Sequence, residues 1–181
     1  MTEDPVAAAR RQIAALGPVG WGGRALADAD IDALLRAAPP AAIEAGAVLS
    51  REGESADRAF FLVAGRLRAS VSLGDQRAER DRTVNEIAAG EVTGEAALFL
   101  TGGRRTATLT AIEPSTVLVL RRDLFLPGAP NPAVVALQSH ILAGLARRIE
   151  RTDAQIVEAW RAAAGGTPSR GGLLALLGVT A

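Results

Sequence analysis

A chain of 181 residues holds one domain with flanking segments and is short for two. At 49% hydrophobic and 22% charged it has material for a sizeable core, and a formal net charge of zero gives no bulk electrostatic grip on DNA, RNA or an anionic membrane. With no cysteine, disulfides and thiolate metal sites are excluded. Every cation is arginine, so a local basic patch stays open. The N-terminus, Met1-Thr2-Glu3-Asp4-Pro5, opens acidic where a secretory signal opens basic. No apolar run approaches the ~20 residues of a membrane span, so the expectation is a cytoplasmic protein with no membrane contact.

Residues 6–16 read as a helix that stops at Gly17-Pro18, and Asp28-Ala29-Asp30 reads as the N-cap region of a second helix ending before Pro39-Pro40. From about 41 to 122 the texture changes to short apolar runs broken by turn residues. Val48-Leu49, Ala59–Val63, Leu67–Val71, Thr83–Ile87, Thr106–Ile112 and Thr116–Leu120 read as strands. Gly65 sits where a tight turn needs positive φ, and Gly74-Asp75 opens a charged hairpin loop. Short strands at near-regular spacing predict a small antiparallel jelly-roll β-barrel, mainly β with flanking α. A long amphipathic helix follows, about Ala133 to Ala164, with Val134, Leu137, Ile141, Leu145, Ile149, Ile156 and Trp160 on one seam. The expected organisation is a helical extension over 1–24, a domain over 25–164 that includes the long helix, and a flexible tail over 165–181 carrying the apolar peptide 173–179.

The chemistry concentrates in Gly94–Thr108. A glycine followed by the helix-forming run Glu95–Leu100 presents backbone N–H groups at a helix start, which favours an anion. Gly102-Gly103 then turns the chain back, so that an arginine can pair with the same anion. Glu95 would be repelled by a dianionic phosphate and suits a sugar hydroxyl beside a singly charged one.

That combination resembles the phosphate-binding cassette of the cyclic-nucleotide-binding domain family, which includes catabolite-activator regulators and kinase regulatory subunits. The resemblance extends to Gly46–Glu54, with its Glu52-Gly53 pair, and to Phe60-Phe61-Leu62-Val63-Ala64-Gly65. It implies a short phosphate-binding helix, Glu95 on the ribose 2′-hydroxyl and Arg105 on the cyclic phosphate. Gly94, Ala96 and Ala107 would add backbone contacts, and Thr106 would touch phosphate or base. Arg104 is the alternative phosphate partner, but Arg105-Thr106-Ala107 fits the family's Arg–Ser/Thr–Ala order. In catabolite activators a Thr-Ser pair on the long helix contacts adenine. Here Thr152 holds the first place, which modestly favours cAMP over cGMP, while Asp153 replaces the serine and departs from the family pattern at the partner-subunit contact.

The expected function is therefore a cyclic-nucleotide sensor that acts by conformational change on a partner protein. It would be a homodimer through the long helix, with 173–179 as a docking peptide. The alternative is a nucleotide-independent dimerisation and docking scaffold with a degenerate fold. The family's helix-turn-helix does not fit in the residues after Ala164, so direct DNA binding is not expected. Nor is catalysis or a bound metal: the lone His140 reads as a surface or interface residue.

Overall fold

The computed structural model describes residues 4–17, 25–72, 81–100, 102–125 and 131–163. The hairpin loop after Gly74, the linker after Ala164 and the peptide 173–179 lie outside them. The chain divides into two compact units, Met1–Ile141 and Leu142–Ala181.

In the first unit, helix α1 (Pro5–Ala14) starts where Asp4 accepts a hydrogen bond from the Ala7 amide at 3.2 Å, with Pro5 in the first turn. Helix α2 (Asp28–Ala37) begins one residue earlier than its acidic pair suggests. Ala27 is its N-cap, and the Asp30 carboxylate reaches back to the Ala27 amide at 3.0 Å. Ala9, Ile13 and Leu34 are fully buried, so α1 and α2 pack within this unit. An ion pair between Arg10 and Asp32 joins them.

Eight strands follow: β1 (Pro40–Ile43), β2 (Val48–Ser50), β3 (Arg58–Ala64), β4 (Arg66–Ser72), β5 (Asp81–Ala88), β6 (Val92–Thr93), β7 (Thr108–Ala111) and β8 (Ser115–Arg121). They form two four-stranded antiparallel sheets, ordered β1-β8-β3-β6 and β2-β7-β4-β5. This is the expected jelly roll. Phe60, Leu62 and Val117 from one sheet meet Leu67, Ile87, Leu109 and Ala111 from the other in the core. At the β3–β4 turn Gly65 has φ +91°, and a Cβ there would lie 2.3 Å from Ser115 Oγ and 2.7 Å from the Pro114 carbonyl. Only glycine fits both restraints.

Three elements differ from the sequence expectation. Strand β1 was hidden by Pro39-Pro40; Pro40 opens an edge strand, where its missing N–H costs no ladder bond. Strand β6 has two residues, too few for an alternating pattern. The strand expected over 106–112 is ordered as β7 only from Thr108.

Helix α3 (Ala96–Phe99) lies between β6 and β7, and a 3-10 turn (Arg122–Phe125) follows β8. Helix α4 (Pro132–Ala163) is 32 residues, about 48 Å at 1.5 Å per residue. Asn131 caps it through Oδ1, which accepts from the Ala133 amide at 2.7 Å, while its Nδ2 donates to the Asp30 carbonyl at 2.9 Å. Within the first unit Ala133, Val134, Ala136, Leu137 and Ile141 are buried. In the second unit Leu142, Ile149 and Ile156 are exposed at a spacing of seven.

Candidate functional site

Arg105 is the centre of the site, and its backbone is fixed first. The Glu52–Ala56 turn runs beside Gly103–Arg105. Arg105 N donates to Glu54 O at 2.8 Å, Gly53 N donates to Arg105 O at 2.8 Å and Ala56 N donates to Gly103 O at 2.9 Å. Ser55 and Arg104 form the bridge between the two segments. Thr108 Oγ1, at the head of β7, accepts from Glu52 N at 3.1 Å. The upstream Glu52-Gly53 pair is thus the hydrogen-bonding mate of the arginine segment.

The two neighbouring arginines end in different places. Arg104 is exposed, and its Nη1 donates to the Gly53 carbonyl at 2.8 Å. Arg105 is only 9% exposed, and its Nε has no hydrogen-bond partner among the described residues. Its guanidinium carbon lies 5.7 Å from the centre of the Phe60 ring, within cation–π range. Burial pushes the Arg105 pKa below the ordinary arginine value; the charges of Asp57 and Glu54 act to raise it and that of Arg58 to lower it. Asp57 is itself held below the ordinary carboxylate value, chiefly by its hydrogen bond from Arg58. That pair is bidentate, Nε to Oδ1 at 2.7 Å and Nη2 to Oδ2 at 2.8 Å, and exposed.

Gly94 arrives from the opposite side. Strand β6 pairs with β3, Thr93 opposite Phe60 and Val92 opposite Phe61, which delivers Gly94 beside the end of β3. Gly94 has φ +73°, and a Cβ there would stand 2.6 Å from Arg105 Nη1 and 3.5 Å from the Arg58 carbonyl. Glu95, next in the chain, is 7% exposed. The helical run is shorter than the expected Glu95–Leu100. Ala97 N already donates to Gly94 O at 3.1 Å and Leu98 N to Glu95 O at 3.0 Å. One turn carries little macrodipole, so the weight of anion attraction falls on Arg105.

The structure brings Gly94, Glu95 and Arg105 into one neighbourhood. Ala96 follows them on the exposed side of α3, Thr106 is exposed and Ala107 is half-buried. Thr152 lies in the second unit, exposed, with its hydroxyl donating to Arg148 O at 2.9 Å. His140 is not a free surface residue. It is half-buried, its Nε2 lies 2.9 Å from the Gly90 carbonyl and its ring meets Phe61 edge-on at 6.4 Å. Reading the sequence missed Phe60 beneath the guanidinium and Arg122, because each depends on a neighbour distant in the chain; it also missed the pair formed by the adjacent Asp57 and Arg58. Among the described residues no group of three His, Asp or Glu could hold a metal, and no helix is long and apolar enough to cross a membrane.

A two-sheet antiparallel barrel carrying a buried arginine against a glycine-led helical turn between β6 and β7 defines a jelly-roll module. Residues 41–127 match the family model of the cyclic nucleotide-binding domain. It is 37% identical over 95 residues to a cyclic nucleotide-gated potassium channel of Rhizobium etli, covering 52% of this chain and 24% of the channel. The chain thus spans about a quarter of that relative's length. Among solved structures, it resembles the catabolite activator protein of Thermus thermophilus, with TM-score 0.60, 25% identity and coverage of 74% of this chain and 60% of that one. It also resembles the N-terminal domain of a transcriptional regulator from Streptomyces coelicolor, with TM-score 0.55, 26% identity and coverage of 84% and 95%. A cyclic nucleotide-binding domain from Methylobacillus flagellatus, at TM-score 0.63, 18% identity and 83% coverage of each chain, shares the fold.

Proposed function

We propose that the protein is a cAMP-binding regulatory sensor whose phosphate site is Arg105 with the Gly94–Ala96 turn, and whose output passes to a partner protein. One observation carries this reading: Arg105 is a buried cation whose Nε has no hydrogen-bond partner among the described residues. Leaving a buried charge incompletely paired costs several kcal/mol, which a bound anion offsets. Arg104, exposed and bonded to Gly53, is less suited to that role. Glu95, buried beside this site, disfavours a phosphate dianion and suits a cyclic monoanion with its ribose hydroxyl. Gly94, Ala96 and Ala107 are assigned backbone contacts and Thr106 a phosphate or base contact.

The preference for adenine rests on Thr152. Its hydroxyl donates to Arg148 O, which leaves the oxygen to act as an acceptor toward a base brought to it. Adenine offers an amino donor where guanine offers a carbonyl. The seven-residue spacing of Leu142, Ile149 and Ile156 suits a homodimer seam along α4. Nucleotide binding would act by shifting the population of two arrangements, and the partner, reached through 173–179, would read the shift.

Thermal unfolding with cAMP and cGMP tests the reading. At hundredfold excess over Kd, cAMP should add about 2.7 kcal/mol, and cGMP less at equal concentration. Arg105→Ala should abolish both shifts and Thr152→Val should narrow the difference between them. No shift with either nucleotide would favour a nucleotide-independent scaffold.

A further inference from the structure

Helix α3 is a single turn, so the carbonyls at its C-terminal end have no following turn to bond them. A side chain from outside the cassette reaches them. Arg122, the first residue of the 3-10 turn after β8, donates Nη2 to the Ala97 carbonyl at 2.9 Å and to the Leu100 carbonyl.

Apolar packing holds this end of α3 poorly. Ala97 and Leu98 are buried on its inner face, whereas Phe99 and Leu100 are 49% and 61% exposed. The other end is already fixed, because β6 pairs with β3 and sets Gly94 beside Arg105. Strand β8 pairs with β3 along its length, Arg58 opposite Arg121 and Phe60 opposite Val119. Arg122 therefore refers the far end of α3 to the same two strands that place Gly94 and Phe60.

We propose that Arg122 is a positioning residue of the nucleotide site, which holds α3 on the β3–β8 framework so that Gly94 and Glu95 stay in register with Arg105. The inference rests on the cAMP-binding reading and adds a residue beyond the cassette to it.

The test compares the full chain with Arg122→Ala and Arg122→Lys by cAMP titration and by amide hydrogen exchange without nucleotide. Arg122→Ala should weaken cAMP by roughly tenfold, the scale of one lost charge-assisted hydrogen bond. Exchange at Leu98 and Leu100, whose amides donate to Glu95 O and Ala96 O at 3.0 and 2.8 Å, should accelerate severalfold, with Leu62 and Val117 unchanged. Arg122→Lys, which keeps the charge and a donor, should recover most of both losses. Unchanged affinity and exchange in Arg122→Ala would overturn the proposal. So would faster exchange spread evenly through the barrel, which would mark a purely structural role. If the wild-type chain binds no cyclic nucleotide, the functional reading fails, and the exchange comparison alone decides whether Arg122 holds α3.

Discussion

The barrel core and the cassette are built on opposite plans. In the core, Phe60, Leu62, Leu67, Ile87, Leu109, Ala111 and Val117 share the burial, and each contributes surface area that its neighbours also contribute. In the cassette single side chains hold single positions. Gly94 makes room for Arg105, the Glu52–Ala56 turn fixes its backbone, and Arg122 ties down the carbonyl end of α3. Stability therefore resides in the two sheets, while the proposed ligand recognition would depend on a few polar contacts of the cassette.

The largest expected effect belongs to the core. Leu62→Ala leaves a cavity at a fully buried site and should cost about 2–5 kcal/mol in denaturant unfolding. At temperatures where the variant stays folded its cAMP affinity should match wild type. A tenfold loss of affinity at full folding would break the separation between core and site.

Gly94→Ala probes the other side. Its Cβ would collide with Arg105 Nη1, the far end of a flexible side chain, so the guanidinium moves while the sheets stay. Together with the φ +73° backbone, the strain should cost about 1–2 kcal/mol of stability. Nucleotide affinity should fall by at least tenfold, read by titration calorimetry. Retained affinity would show that Arg105 does not depend on the space Gly94 provides.

The Asp57–Arg58 pair should matter less. Asp57 has a lower pKa folded than unfolded, so its contribution is present above the ordinary carboxylate range and is lost as pH falls through the folded value. Because the pair is exposed, that contribution is about 0–1 kcal/mol. Asp57→Asn should remove this small acid-side slope from the stability curve and leave the midpoint at neutral pH nearly unchanged. Smallest of all, Arg104→Ala should alter stability by less than about 0.5 kcal/mol and affinity by less than twofold. A larger loss of binding would move the phosphate role from Arg105 to its neighbour.

Much of the fold was legible because its signals are local. Short apolar runs broken by turn residues marked the longer strands, Gly65 marked the β3–β4 turn and a seam of three-, four- and seven-residue steps marked α4. Strand β6 was not legible, since two residues carry no pattern, and β1 was masked by a proline that an edge position tolerates. Among the candidate site residues, Gly94, Glu95 and Arg105 could be named because their order resembles the phosphate-binding cassette of the cyclic-nucleotide-binding domain family. The difference in burial between Arg104 and Arg105 could not, because it arises from the Glu52–Ala56 turn about fifty positions earlier.

The sequence by itself determined an antiparallel barrel followed by a long amphipathic helix, and the glycine–glutamate–arginine order of one loop. Periodicity and turn chemistry act within a few residues, so they can be read without the fold. Only the tertiary structure decided that Arg105 is the buried cation, that Phe60 lies beneath it and that Arg122 secures the far end of α3. Those facts depend on strand pairing between distant segments, and pairing is settled by burial and hydrogen-bond satisfaction over the whole barrel.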